Sequence, residues 1–181
     1  MNTQTLILGI LNFEDVSGYE IKKMSTEGVY SHFVDISFGS IYPTLSKLEA
    51  EGLVTCRAES QNGRPDKKVY SITEKGRMEF VATLAQPPQP DKFKSEFLLV
   101  AMCAGQTSSD VLSAAIDKRL EELKSKIEMI ETSCADCDHP ATVWVANYGL
   151  HIYNTDISYL EANRETLLSL TGSELSQQAA E

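Results

Sequence analysis

The sequence contains no run approaching the roughly 18 uncharged apolar residues needed to cross a bilayer. Its longest apolar stretch, Phe97 to Ala104, is about half that length and gives way to Gly105 and Gln106. The first five residues carry no Lys or Arg, and the apolar run Leu6–Leu11 ends at Glu14 and Asp15. Neither a membrane partner nor a secretory leader is expected, and a cytoplasmic location is. Cysteine is sparse: Cys56, Cys103, Cys134 and Cys137 are too few and too scattered to staple a secreted scaffold. A phosphate-cradling Gly-rich loop, Gly-x-Ser-x-Gly and His-Glu-x-x-His are all missing, and the three histidines (His32, His139, His151) lie far apart. Catalysis and a cofactor are therefore not expected. Positive charge is also short, with 16 Lys and Arg against 26 Asp and Glu and a net charge of −10. Such a chain does not coat nucleic acid indiscriminately.

That charge is unevenly placed. Residues 1–85 hold nine bases against eleven acids, whereas residues 86–181 hold seven against fifteen. Between the halves lies Gln86-Pro87-Pro88-Gln89-Pro90, where three prolines in four positions cannot continue a helix. The expected organisation is an N-terminal domain over 1–86, a linker over 87–90 and a helical domain over 91–181. The fold class expected is mainly α with a small β-hairpin.

In the first half, Leu6, Ile7, Ile10 and Leu11 suit a first helix, and Ser17-Gly18 starts a second. A third runs from about Phe38 to Glu51, with Ile41, Leu45 and Leu48 on one inward stripe and Gly52 as its C-terminal cap. Extended segments follow at 53–59 and 69–73, separated by the turn-rich stretch Ser60 to Asp66 containing Asn62-Gly63. Thr73 then caps a fourth helix, in which Gly76 weakens the start and Met78, Phe80, Val81 and Leu84 supply apolar contacts.

Three helices and a hairpin in about 85 residues is the layout of a winged helix–turn–helix. A major groove about 12 Å wide accepts one helix, provided that helix has an apolar back to anchor it. The third helix has such a back and leaves Ser40, Tyr42, Thr44 and Lys47 outward. Pro43 is odd inside a helix by propensity but is expected in the first turn, where it is tolerated because its missing N–H would have no partner. From Arg57 to Arg77 six bases (Arg57, Arg64, Lys67, Lys68, Lys75, Arg77) face three acids, a local surplus in an acidic protein. The hairpin tip at Asn62-Gly63 lets Arg64, Lys67 and Lys68 reach phosphates.

The successive blocks Leu8-Gly9-Ile10-Leu11, Ser17-Gly18-Tyr19-Glu20-Ile21, Ser40-Ile41-Tyr42-Pro43-Thr44-Leu45, Lys47-Leu48-Glu49, Glu51-Gly52-Leu53-Val54, Gly63-Arg64-Pro65 and Lys68-Val69-Tyr70-Ser71-Ile72-Thr73 resemble the PadR family of bacterial transcriptional regulators. The match covers 5–80 in order. The helical second half resembles, more loosely, the dimerisation segment of the longer subgroup that includes AphA-type virulence activators. The resemblance implies a homodimer on double-stranded operator DNA, with recognition helix 38–51 and wing 57–73. It implies DNA contacts at Ser40, Tyr42, Pro43, Thr44, Lys47, Gly63, Arg64, Lys67 and Lys68, with repression as the expected sign of control and activation the alternative that the second half leaves open. One departure is that Phe33 is followed by Val34, where many members carry an aromatic pair.

The second half is helical throughout. Leu112, Ile116, Leu120, Leu123, Ile127 and Ile130 make a heptad-like seam. Pro140 opens a last helix in which Tyr148, Ile152 and Tyr159 share a face with Val145 and Leu160. Both stripes are expected at a two-fold dimer interface, the alternative being a self-contained antiparallel pair. Two reading heads related by a two-fold axis predict an inverted-repeat operator. Trp144, Tyr148 and His151 recur on one flank and are candidate contacts for a small aromatic effector, the alternative being core packing. Cys134-x-x-Cys137-x-His139 has ligand spacing compatible with zinc but lacks a fourth ligand, so no metal site is expected. An interhelical turn is the plain reading, and a redox or metal sensor through Cys134 and Cys137 the alternative. A winged-helix protein-interaction module without DNA binding is the rival from another class.

Overall fold

A computed structural model describes residues 2–26, 30, 33, 36–61 and 64–172. It comprises two compact units, Met1–Asp91 and Lys92–Glu181.

The first unit is built around α1 (Thr3–Phe13). Asn2 caps it, its side-chain oxygen accepting from the Thr5 amide at 3.0 Å. Leu6, Ile7, Leu8, Ile10 and Leu11 are all buried, so apolar residues cover nearly the whole circumference. A helix of that composition is stable only at the centre of a domain. It packs against α3 (Phe38–Ala50), α4 (Glu74–Leu84) and the sheet. The second helix, α2 (Gly18–Thr26), packs on α3.

The sheet has three antiparallel strands in the order β1-β3-β2: β1 is Val16–Ser17, β2 is Val54–Gln61 and β3 is Arg64–Ile72. The hairpin expected from the sequence therefore gains a strand, because Val16 pairs with Tyr70 and Ser17 with Val69. The β2–β3 ladder runs from Val54↔Ile72 to Gln61↔Arg64 with an irregularity between Glu59 and Gln61. Asn62 and Gly63 lie outside the described residues.

Gly52 ends α3 at φ +69°. Its N–H donates to the Glu49 carbonyl at 3.0 Å and Leu53 N–H to the Leu48 carbonyl at 2.9 Å, the paired bonds of a left-handed helix cap. The chain is thereby delivered directly into β2. Thr73 caps α4, accepting from the Gly76 amide at 3.1 Å. Gly76 is there for close approach: a Cβ would strike the Leu53 carbonyl oxygen and sit 2.8 Å from Ile72 Cγ1. Of the four apolar residues expected to pack from α4, only Phe80 joins the core; Met78, Val81 and Leu84 are exposed.

The second unit contains α5 (Glu96–Met102), a 3₁₀ turn at Ala104–Gln106, α6 (Ser109–Ser133) and α7 (Pro140–Leu168). The two long helices lie against each other, and Ala104, Leu112 and Ile116 form a core with Phe97, Val100, Leu120, Leu167 and Leu168. Arg164 joins the helices with a two-pronged bond to Asp117 (2.6 and 3.1 Å) and a third bond to Ser113 Oγ at 2.6 Å. Further along, Lys126 lies over the Tyr153 ring at 5.4 Å.

Candidate nucleic-acid interface

The inner face of α3 is fixed by Ile41, Leu45 and Leu48, none of which is exposed at all. A helix pinned that firmly must present its opposite side outward. Tyr42, Pro43 and Lys47 are exposed there, with Ser40 and Thr44 half-buried at the margin. Thr44 Oγ1 donates to the Ser40 carbonyl at 2.6 Å, and Ser40 Oγ to the Ser37 carbonyl at 2.7 Å. Both hydroxyls spend their proton on their own helix and face a ligand as acceptors. Lys47 has Glu51 3.8 Å away, with both side chains open to solvent, a contact worth little.

Pro43 does not sit in the first turn. The helix begins at Phe38, so Pro43 is its sixth residue, and the missing N–H removes a bond to the Gly39 carbonyl. Nothing lies within 4 Å of where a Gly39 side chain would be.

The Ser40 and Thr3 hydroxyls lie 3.4 Å apart. This sets the N-termini of α1 and α3 side by side at one surface. Ser37 places no side-chain cap on the first-turn N–H groups of α3, of which that of Ser40 donates to the Ser37 carbonyl at 3.0 Å. Helix N-termini with such groups suit phosphate oxygens.

The wing is held from below by carboxylates. Lys67 Nζ donates to Glu20 Oε1 at 2.9 Å, while Glu20 Oε2 accepts from both the amide and the hydroxyl of Ser17 at 2.8 Å. Ser17 Oγ in turn accepts from the Glu20 amide at 3.3 Å, completing a capping box on α2. The Lys67 ammonium, with the Ser17 donors, holds the Glu20 carboxyl down at about 2. Arg57 binds Asp15 at 2.7 Å, Ser71 at 2.9 Å and Glu59 at 3.1 Å, and the guanidinium lowers the Asp15 carboxyl. Lys75 donates to the Glu51 carbonyl at 2.7 Å, and Arg77 to Asn12 Oδ1 at 2.9 Å. Four of the six bases counted in 57–77 thus hold the domain together. Lys67 is one of them, while Lys68 is exposed. Gly63 and the Arg64 side chain lie outside what is described.

The candidate residues of the second unit fall into two groups. Leu112, Ile116, Leu123 and Ile130 are buried within the single chain, Leu112 and Leu123 fully, with Leu120 packed on the same core and Ile127 half-buried. Their stripe packs within the single chain, in the seam between α6 and α7. An apolar face is left open on α7: Trp144, Val145, Tyr148, Ile152 and Tyr159 are all 40% exposed or more. Trp144 and Tyr148 stack on each other, centroids 5.5 Å apart and planes 7° from parallel, and His151 is exposed beside them. A cleft of about 280 Å³ opens on the other flank of α7, bounded by Val143, Ala146, Asn147 and Leu150 together with Ile130, Glu131, Cys134 and Cys137.

Neither β1 nor the Glu20 anchor follows from the sequence reading, although Ser17-x-x-Glu20 spells a capping box. The pairing of Glu20 with Lys67 had no local signal.

A helical core with an antiparallel sheet, its third helix backed by buried aliphatics and flanked by a long hairpin, defines a winged helix–turn–helix DNA-binding protein. The model of the transcriptional regulator PadR-like family matches residues 7–82. The chain is 32% identical over 135 residues to the negative transcriptional regulator PadR of Bacillus subtilis, covering 70% of this chain and 74% of that one. The protein therefore belongs to the PadR-like family, whose members are transcriptional regulators and not enzymes. A PadR-like transcriptional regulator of Bacillus cereus superposes with a TM-score of 0.79 at 29% identity, over 92% of this chain and 96% of that one. Bacillus subtilis PadR in complex with operator DNA gives 0.72 at 28% identity, over 91% and 98%; the same regulator is also solved with p-coumaric acid. The Vibrio cholerae virulence activator AphA shares the fold, with a TM-score of 0.61 at 22% identity over 98% of this chain and 99% of that one. No helix among the described residues is long and apolar enough to cross a membrane.

Proposed function

We propose that this regulator is a homodimeric repressor that binds an inverted-repeat operator, laying α3 in the major groove and the hairpin along the adjacent backbone. The carrying observation is the division of α3 into a fully buried face of Ile41, Leu45 and Leu48 and an exposed face of Tyr42, Pro43 and Lys47. Ser40, Tyr42, Pro43, Thr44 and Lys47 are the groove contacts in this reading. Gly63, Arg64 and Lys68 serve the phosphates, and Lys67 positions the hairpin. Repression rests on the likeness to a negative regulator.

Pairing uses the open face of α7 through Tyr148, Ile152 and Tyr159, whose exposed apolar area needs a cover. Two copies related by a two-fold axis then read two half-sites. A small phenolic acid is the proposed effector class, held at Trp144, Tyr148 and His151; p-coumaric acid is bound by the Bacillus subtilis relative.

Fluorescence anisotropy against the DNA upstream of the protein's own gene, in a salt series, tests the reading. Six to ten phosphate contacts predict a loss of about 10³–10⁵ in affinity between about 50 and 200 mM salt. A protein that ignores duplex DNA at low salt would instead be an interaction module built on a winged helix.

A further inference from the structure

Cys134 and Cys137 are joined by a disulfide, with Cα atoms 4.8 Å apart, in the turn between α6 and α7. Cys134 is the C-terminal cap of α6, its N–H donating to the Ile130 carbonyl at 3.0 Å, and Cys137 N–H donates to the Cys134 carbonyl at 3.2 Å. Only Asp138 and His139 separate Cys137 from Pro140, the first residue of α7. The bridge thus ties the end of one long helix to a point three residues before the start of the next. Both sulfur-bearing residues are partly exposed, and they form one end of the cleft between Ile130 on α6 and Val143, Ala146 and Leu150 on α7. Cys56 and Cys103 are free thiols.

We infer that Cys134 and Cys137 are a reversible dithiol–disulfide pair that locks the α6–α7 turn and so adjusts operator binding. The turn needs no bridge to exist, since a six-residue connection between antiparallel helices is ordinary. A crosslink closing so short a loop also removes little chain entropy from the unfolded state. Its effect is local. With the bridge closed, the first turn of α7 is held against the end of α6; with it open, the turn relies on its backbone hydrogen bonds and on the Ile130 contacts. The exposed stack of Trp144 and Tyr148 begins one turn beyond Pro140, so the same lever sets how the open face of α7 is presented. This last link rests on the dimer reading above.

The co-reactant class is a low-molecular-weight disulfide. One cysteine thiolate attacks a sulfur of the external disulfide, expelling one thiol and forming a mixed disulfide. The second cysteine then displaces the external sulfur as another thiol. Two protein thiols lose two protons and two electrons, and one external disulfide becomes two thiols. An excess of external dithiol runs both steps backwards. Glu131 lines the cleft beside both cysteines, and Asp136 and Asp138 flank Cys137 in sequence.

The test uses the full chain, equilibrated across ratios of oxidised to reduced dithiothreitol and trapped by alkylation with peptide mapping. Expected is a concerted change of two alkylated thiols on the peptide carrying Cys134 and Cys137, with slower amide exchange over 134–143 in the oxidised form. Thiols that titrate independently, or identical exchange in both forms, would overturn the lock whatever the protein does with DNA. Operator affinity, measured on the two forms in parallel, is expected to differ by about fivefold or more. The Cys134→Ser/Cys137→Ser variant should keep the reduced form's affinity under oxidant. Equal affinity of both forms would overturn the regulatory role. Absence of DNA binding by both forms would count against the proposed function, while the exchange data still decide the lock.

Discussion

Glu20 and Lys67, 47 positions apart in sequence, meet at 2.9 Å and join the N-terminal turn of α2 to the central strand of the sheet. The same carboxylate closes the capping box with Ser17, and Ser17 itself pairs with Val69. A helix start, a strand edge and the base of the wing therefore share one acid.

That acid sets a pH dependence. Its carboxyl lies at about 2 against 4.5 in the unfolded chain, so the folded state binds fewer protons between those values. The stabilisation is complete above about pH 4.5 and is lost as pH falls towards about 2. Because the group is 41% exposed, solvent screening holds the ion-pair contribution to about 1 kcal/mol. Urea titrations of wild type and Glu20→Gln across this range should converge at low pH. Parallel curves would remove Glu20 as the titrating group.

Lys67 and Lys68 are adjacent yet should behave differently. Lys68→Ala removes an exposed cation and is expected to reduce the salt slope of operator binding by about 1 per protomer, with unchanged thermal stability. Lys67→Ala leaves Glu20 without its cation, and a lowered Tm should accompany any change in binding. An unaltered Tm for Lys67→Ala would mean that the ion pair holds nothing.

Gly76→Ala separates helix propensity from packing. Propensity alone predicts a gain of about 1 kcal/mol. The clash with the Leu53 carbonyl predicts a net loss of about 1–3 kcal/mol, because that oxygen also accepts from the Thr73 amide at 3.0 Å and cannot retreat freely. Chemical denaturation reads the sign directly.

In the helical unit, Leu123→Ala opens a cavity in a site with no solvent exposure, at a cost of about 2–5 kcal/mol. Ile152→Asp touches the open face of α7 and should leave folding intact while shifting sedimentation towards monomer. Retention of a dimer by Ile152→Asp would move the pairing surface elsewhere.

Much of the architecture was legible before any coordinates. The stripe Ile41, Leu45 and Leu48, the cap at Gly52, the Thr73 and Pro140 helix starts and the proline break near 87 depend on bonds and repeats within a few residues. Local sequence records such features completely. The candidate groove face followed from the same stripe, since whatever is not buried on a pinned helix is presented.

Tertiary structure decided the rest, for one reason: the relevant partners are remote in sequence. Period alone showed that Leu112 to Ile130 must be buried, without saying whether α7 or a second chain would cover it. Counting bases between 57 and 77 could not reveal that Asp15 holds Arg57 from 42 positions away, nor that Glu20 holds Lys67. Which cations face a duplex and which brace the fold is a matter of long-range pairing, written only in the folded chain.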